Sequence, residues 1–392
     1  MRILFVHNFY GSSAPSGENL AANAELELLR SAGHDVRLFA KYSDNVRERG
    51  AIGAIHAGFV NAWNPKSAGE LLEEAKKFQP DIVHVHNTFP LISPSIFWKL
   101  SGKFKCVLTL HNYRLLCPAA IPARDGKVCT KCIDGASVLP ALRYGCYKNS
   151  HLATLPLALN VALHRKIGTW VNRVDGFIAL TEFQKRLMTQ AGLPEAKVHV
   201  KPNFHPGQPF VKPYNLRNDY VIYAGRLSKE KGLITLLKAW KIWGDKAPEL
   251  RIVGDGPLLS ILKNLAQGCR VKFFGKLPQH SAIEQIAGAK LLLLPSEWFE
   301  GFPLVLQEAF ALGTPVVASD IGPFRELVKE AGAGIVVPPS DPVELQKAIS
   351  QVLSMKDVLN KFSSNSRRAY EQYYNDTVNL SRLMDIYLEV IK

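Results

Sequence analysis

A chain of 392 residues is longer than one hydrophobic core usually serves, so two domains of roughly 200 residues are expected. Its 47% hydrophobic and 21% charged residues are ordinary for a soluble globular protein, and no apolar run reaches the ~18 to 20 residues of a spanning helix. The net charge of +14 is uneven: residues 1–205 hold 25 Lys and Arg against 15 Asp and Glu, and from Lys99 to Arg173 twelve bases face only Asp125 and Asp134. Such a surface attracts phosphates on a lipid headgroup, a nucleotide or a nucleic acid, and a merely solvated basic face is an equal alternative.

The opening run Arg2 to Asn8 reads as a strand that breaks into polar residues after one strand's length. It is therefore no signal peptide, and a cytoplasmic location is expected. A loop of small residues, Phe9 to Glu18, leads into a helix with Leu20, Ala24 and Leu28 on one face and Gly33 as its stop. Further strands are expected at Asp35 to Ala40, Ile82 to Asn87 and Cys106 to Asn112, with a helix at Ala68 to Phe78. His84 and His86 share one face of their strand; metal or acceptor binding is one reading, and satisfaction by neighbouring backbone is preferred. His111 closes a strand, where a parallel sheet delivers side chains to its crevice.

Between Cys117 and Cys146 stand four of the six cysteines, with Cys129 and Cys132 as a CxxC pair. In a basic, loop-like segment they read as a tetrahedral thiolate site for structural zinc, against the alternative of clustered thiols. Disulfides are not expected in a cytoplasmic chain. The apolar run from His151 ends in a basic cluster with Arg165 and Lys166. It reads as a helix packed on the sheet, with membrane contact as the alternative. Strands at Gly176 to Leu180 and Val198 to Pro202 end this half, and the proline-rich Pro202 to Asn218 reads as a linker.

The second half alternates again, with strands at Tyr220 to Ala224, Leu250 to Val253, Val271 to Phe274, Lys290 to Leu294, Val316 to Ser319 and Gly334 to Val337. After the first comes Gly225-Arg226-Leu227-Ser228-Lys229-Glu230-Lys231-Gly232; Arg226 offers a forked donor and Lys231 a point charge, both suited to a diphosphate. Gly254-Asp255-Gly256-Pro257 reads as a turn. From Ala289 to Asp320 a buried strand, a loop, a helix and a second strand succeed one another, with Glu300 before the helix and Glu308 inside it. Side chains lean toward a helix N-terminus, so Glu308 faces back toward Gly301, within ~8 Å of the first free amides. Those amides, from Gly301, Phe302, Leu304 and Val305, bind phosphate well, and Pro303 supplies none.

Glu300 and Glu308 in the setting EGFPLVLQEAFALGTPVVASD resemble the paired-glutamate signature of the retaining family 4 glycosyltransferases, and the Gly225 to Gly232 segment resembles their Gly-Arg-Leu…Lys-Gly motif. The resemblance implies an α/β protein of the GT-B fold: two Rossmann-like doubly wound domains facing a central cleft. The expected domains are an acceptor-side domain at 1–205 carrying a Cys-rich insertion at 117–146, a donor domain at 206–377, and a C-terminal helix at 378–392 returning to the first. It further implies that His111 and Glu300 orient the donor sugar, that Arg226 and Lys231 hold the diphosphate, and that Glu308 holds the ribose. The family's Gly-Gly-x-Glu-like loop is here Ser16-Gly17-Glu18, so only Gly17 is carried over as a neighbour of the donor phosphates.

The expected function is transfer of a sugar from a nucleotide diphosphate sugar to an acceptor hydroxyl, with retention and no catalytic metal. The acceptor is expected to be a carbohydrate or a lipid-linked glycan in polysaccharide or glycolipid biosynthesis. Peripheral membrane contact through the basic half is allowed, and no nucleic-acid partner is expected. The alternatives are a nucleotide-sugar epimerase or hydrolase on the same fold and, from another class, a basic zinc-containing nucleic-acid-binding protein.

Overall fold

The computed structural model describes residues 1–11 and 16–392; Ser12 to Pro15, the middle of the small-residue loop, lie outside the described residues. The chain forms two compact units. One comprises Met1–Pro122, Cys129–Pro202 and Asn379–Lys392; the other comprises Ala123–Val128 and Asn203–Val378.

In chain order the strands of the first half are β1 (Arg2–Phe9), β2 (Asp35–Tyr42), β3 (Ile82–Asn87), β4 (Cys106–Leu110), the short pair β5 (Ala123–Arg124) and β6 (Lys127–Val128), β7 (Gly176–Ala179) and β8 (Val198–Val200). The pair β5–β6 is a separate antiparallel hairpin that counts with the second unit. The other six form a parallel sheet in the order β2-β1-β3-β4-β7-β8. A parallel sheet is covered on both faces, which is why β3 and β4 are buried at every residue and read as apolar runs. On one face Ile3 and Phe5 pack with Ala22, Leu26 and Leu29 of the helix Gly17–Ser31 and with Leu383, Ile386, Tyr387 and Val390 of the last helix, Asp376–Ile391. Burying each Leu, Ile, Val or Phe of this set is worth ~1.5 to 3 kcal/mol against leaving the side chain in water.

The face of Gly17–Ser31 differs from the sequence reading. Its buried stripe is Ala22, Leu26 and Leu29 with Asn19 and Glu25, whereas Leu20 is exposed. Leu20, Ala24 and Leu28 are as apolar as the true stripe, and Glu25 is buried because Lys201 donates to it at 2.7 Å.

The second unit carries β9 (Tyr220–Ala224), β10 (Glu249–Val253), β11 (Val271–Gly275), β12 (Leu291–Leu294), β13 (Val316–Ser319) and β14 (Gly334–Val337), parallel in the order β11-β10-β9-β12-β13-β14. Leu236, Leu237 and Trp240 of the helix Leu233–Trp243 fill one face against Val221, Leu250, Leu293 and Val317. Trp240 satisfies its indole N–H on the Pro248 carbonyl at 2.9 Å, as a buried indole must. From Asn203 onward the expected linker is part of this unit: Arg217 is buried and donates to the carbonyls of Ala289, Leu312 and Gly313 and to the Thr314 hydroxyl. Strand order reverses between β9 and β12, and such sheets bind ligands beyond the carboxyl ends of the strands at that point.

Candidate active site

At that switch point the loop after β9 meets the loop after β12. Gly232 has φ +71°, and a Cβ on it would collide with the Pro295 carbonyl, so the contact needs glycine. The Glu297 amide donates to the Glu230 carbonyl at 2.8 Å, and the Thr235 hydroxyl donates to Glu297 at 2.7 Å. On the other side, Gly254 has φ +133° and leaves no room for a Cβ beside the Gly225 carbonyl. Leu227 donates its amide to the Asp255 carbonyl at 2.9 Å. The Gly254 to Pro257 turn thus buttresses the loop that carries Arg226.

Within this frame one oxygen of the buried Glu300 accepts three hydrogen bonds: from Lys231 Nζ at 2.7 Å, from the Ser296 hydroxyl at 2.7 Å and from the Trp298 indole at 2.9 Å. The Lys231 ammonium also lies 5.3 Å from the centre of the Trp298 ring, within cation–π range. Arg226 is exposed, and its backbone carbonyl accepts from the buried Tyr223 hydroxyl at 2.8 Å. Burial, then the charges of Glu300 and Glu230, hold that hydroxyl's pKa well above its ordinary value.

Glu308 lies one turn inside the helix Leu304–Ala311, whose N-cap is Pro303 and has no side-chain cap. Burial alone pushes its carboxyl up to about 7, and among the described residues nothing pairs with it. Phe302 is buried and packs on Tyr374 at 5.0 Å between ring centres, which fixes the backbone entering this helix. Among the described residues no acceptor takes the amides of Gly301, Phe302, Leu304 or Val305. Arg226, Lys231, Glu300, Gly301, Phe302, Leu304 and Glu308 are thus all in the second unit, on the two loops and the helix at its switch point.

Gly17 and His111 belong to the first unit. Gly17 is the first residue of its helix, after the N-cap Ser16. His111 follows β4, and its Nε2 lies 2.9 Å from Nδ1 of His86, the two rings stacked at 5.1 Å. Burial, then His86 and His7, hold the His111 pKa well below the usual imidazole value, so it is neutral. Behind it His86 Nε2 and His84 Nδ1 each lie 3.2 Å from one Glu25 oxygen. His84 also contacts the Thr109 hydroxyl at 2.7 Å and the Tyr387 hydroxyl at 2.6 Å. The two histidines are therefore held by side chains, not by the backbone expected from sequence. Glu25, His84 and His86 bring possible donor atoms within 4.8 Å of one another, but the Lys201 ammonium already neutralises the carboxylate.

Residues 23–205 match the family described as Glycosyltransferase Family 4, and residues 207–369 match Glycosyl transferases group 1. The chain is a glycosyltransferase of this type. Among curated relatives it is 25% identical over 388 residues to the putative teichuronic acid biosynthesis glycosyltransferase TuaC of Bacillus subtilis, covering 90% of this chain and 89% of that one. It is also 32% identical over 214 residues to the exopolysaccharide phosphotransferase SCO2592 of Streptomyces coelicolor, 52% of this chain but only 22% of that longer protein. Among solved structures, Anabaena HepE in complex with UDP-glucose superposes with a TM-score of 0.63 at 19% identity, covering 98% of this chain and 99% of that one. The fold is GT-B, with two Rossmann-like parallel-sheet domains.

Two further features of the glycosyltransferase bear on the sequence reading. Cys117 interacts electrostatically with Cys132 and Cys146, and Cys132 with Cys129, so the four cysteines are neighbours. No three of their sulfurs lie mutually within 4.8 Å, no disulfide joins them, and burial raises the Cys117 thiol to about 12. Ser296 and Trp298, which hold Glu300, and Glu25 and Lys201, which stand behind His111, are additional to the residues expected from sequence. Ser296 and Trp298 lie within four residues of Glu300, a signal that was available; Glu25 and Lys201 are 176 residues apart and left none.

Proposed function

We propose that this glycosyltransferase moves a sugar from a nucleotide diphosphate sugar to a hydroxyl of a carbohydrate or lipid-linked glycan, with retention, in polysaccharide or glycolipid assembly. The observation that carries the reading is the Lys231–Glu300 pair at 2.7 Å, on the two loops at the switch point that also carry Arg226 and lead into the uncapped helix of Glu308. UDP-glucose in the HepE structure supports a nucleotide sugar as donor.

As the glycosidic bond breaks, negative charge builds on the diphosphate. Arg226, Lys231 and the amides of Gly301, Phe302, Leu304 and Val305 stabilise it without a catalytic metal, in a frame set before the reaction begins. Phosphate draws Lys231 toward itself, leaving Glu300 to accept hydroxyls of the donor sugar while Ser296 and Trp298 hold it in place. Glu308 accepts the ribose hydroxyls. Gly17 lets the donor phosphates approach the first helix, and neutral His111 offers a hydrogen bond to the donor sugar without adding charge. The acceptor is met at a membrane surface touched by the basic N-terminal half.

A thermal-shift screen of nucleotide sugars identifies the donor, and proton NMR of the product made with that donor and a glycan acceptor gives the anomeric configuration. Donor-dependent product with the donor's own configuration is expected. An inverted product, or donor turnover that is indifferent to every acceptor, overturns the proposal.

A further inference from the structure

Two helices of the first unit expose side chains that soluble surfaces usually cover. Gly50–Ala62 presents Ile52, Ile55 and Phe59, and His151–Lys166 presents Leu152, Leu155 and Leu159, each between 44% and 86% exposed. The helices pack on each other and run parallel, because their contacts climb together. Gly58 faces Pro156, Asn61 donates to the Pro156 carbonyl at 3.2 Å, Asn160 donates to the Asn61 carbonyl at 2.7 Å, and His164 Nε2 lies 2.7 Å from the Ala62 carbonyl.

The buried stripes are Gly53, Ala57 and Asn61 on one helix and Thr154, Leu157, Ala158, Val161 and His164 on the other. At about 100° per residue, each exposed stripe lies roughly opposite the buried stripe of its own helix. Parallel neighbours with their buried sides on the same core therefore turn both apolar stripes the same way. The result is one continuous apolar surface, of the kind that marks an interaction site.

We infer that this paired-helix surface docks the enzyme on an anionic bilayer. Neither helix contains an Asp or Glu, and exposed bases stand at both ends: Arg47, Arg49 and Lys148 before the helices, Lys66 and Lys166 at or after their ends. Asp44 and Glu48 are the acids that flank the first helix. Apolar side chains flanked by cations suit acyl chains beneath anionic headgroups. A second copy of the chain would instead bring one basic rim against another. Among the described residues no helix is long and apolar enough to cross a membrane, so the pair lies on the surface rather than spanning it. The inference deepens the proposed membrane-side acceptor and rests on that reading only for its purpose.

The test is vesicle flotation of the full chain without donor or acceptor, so failure of the glycosyl-transfer reading leaves its result intact. Wild type is expected to float with vesicles of phosphatidylcholine and phosphatidylglycerol, less with phosphatidylcholine alone, and less as salt rises. The triple serine variants I52S/I55S/F59S and L152S/L155S/L159S should each lose ~tenfold or more of the partition, with melting temperature and turnover on a water-soluble acceptor unchanged. Lys148→Glu with Lys166→Glu, which leaves the apolar stripes intact, should weaken the preference for anionic vesicles. Wild type that stays off anionic vesicles, triple variants that float like wild type, or a dimer in light scattering that the serines dissolve would each overturn the inference.

Discussion

Glu308→Gln should make the empty enzyme more stable and its nucleotide complex weaker. Burial raises the Glu308 carboxyl from 4.5 to about 7 with no partner to offset it. A raised acid favours the neutral form in the folded state, so its cost is absent below pH 4.5 and grows as pH rises through 7. A displacement of that size is worth up to about 3 kcal/mol, and partial exposure of the carboxyl reduces it to on the order of 1 to 2 kcal/mol. Glutamine keeps the shape and removes the titration. Its melting temperature should therefore exceed wild type at pH 8, with the gap closing toward pH 4.5. If the ionised carboxylate accepts two ribose hydroxyls, the same change should cost ~1 to 3 kcal/mol of nucleoside diphosphate affinity and much less for pyrophosphate. Calorimetry in buffers of different ionisation enthalpy should also show proton release when wild type binds nucleotide near neutral pH, and none for the variant. Equal losses for both ligands, or a variant less stable than wild type at pH 8, would refute the reasoning.

Arg226→Ala and Lys231→Ala should each lower donor-supported turnover by ~10²-fold or more with the fold intact, and wild-type rates in both would remove them from the leaving-group site. Lys201→Met should cost ~3 to 5 kcal/mol at neutral pH, because it strands the buried Glu25 charge. Although burial opposes it, the pull of Lys201, His86 and His84 holds the Glu25 carboxyl well below 4.5. Its stabilising contribution is thus complete above the ordinary carboxylate range and lost as pH falls, so the Lys201→Met deficit in chemical denaturation should shrink in acid. For the cysteines we propose structural zinc: freshly purified, reduced protein should carry about one equivalent by metal analysis, and Cys132→Ser should lower stability rather than turnover. Metal-free protein that is equally stable would end that proposal.

The strands of both sheets were legible because buried parallel strands are unbroken apolar runs, as in Ile82–Asn87 and Leu291–Leu294, punctuated by Gly and Pro. The positions of Glu300, Glu308, Arg226 and Lys231 were legible because their loops follow β9 and β12 directly. Local pattern failed where burial depended on a distant partner. The helix Gly17–Ser31 has two comparable apolar stripes, and the one chosen by the fold includes Glu25, acceptable only because Lys201 arrives from far along the chain. Pro202 to Asn218 looked like a linker for its prolines, yet Arg217 finds four acceptors that no local rule reveals. The helix His151–Lys166 is apolar on two sides, one packed on its partner and the core and one exposed, and local sequence does not separate them.

The ion pair of Lys231 with Glu300 also bears on how a catalytic cycle ends. A lysine with no partner in the empty site would gain everything from a bound diphosphate and would hold the spent nucleotide tightly. Here each entry of phosphate must displace a carboxylate already in contact, and each departure lets that contact re-form. The re-formed pair returns part of the free energy needed for the lysine to let go, so affinity for the product is moderated by a residue that the phosphate itself does not touch. Removing the carboxylate should then lengthen the residence of nucleoside diphosphate, a change read in product dissociation and separate from the lost contact to the donor sugar.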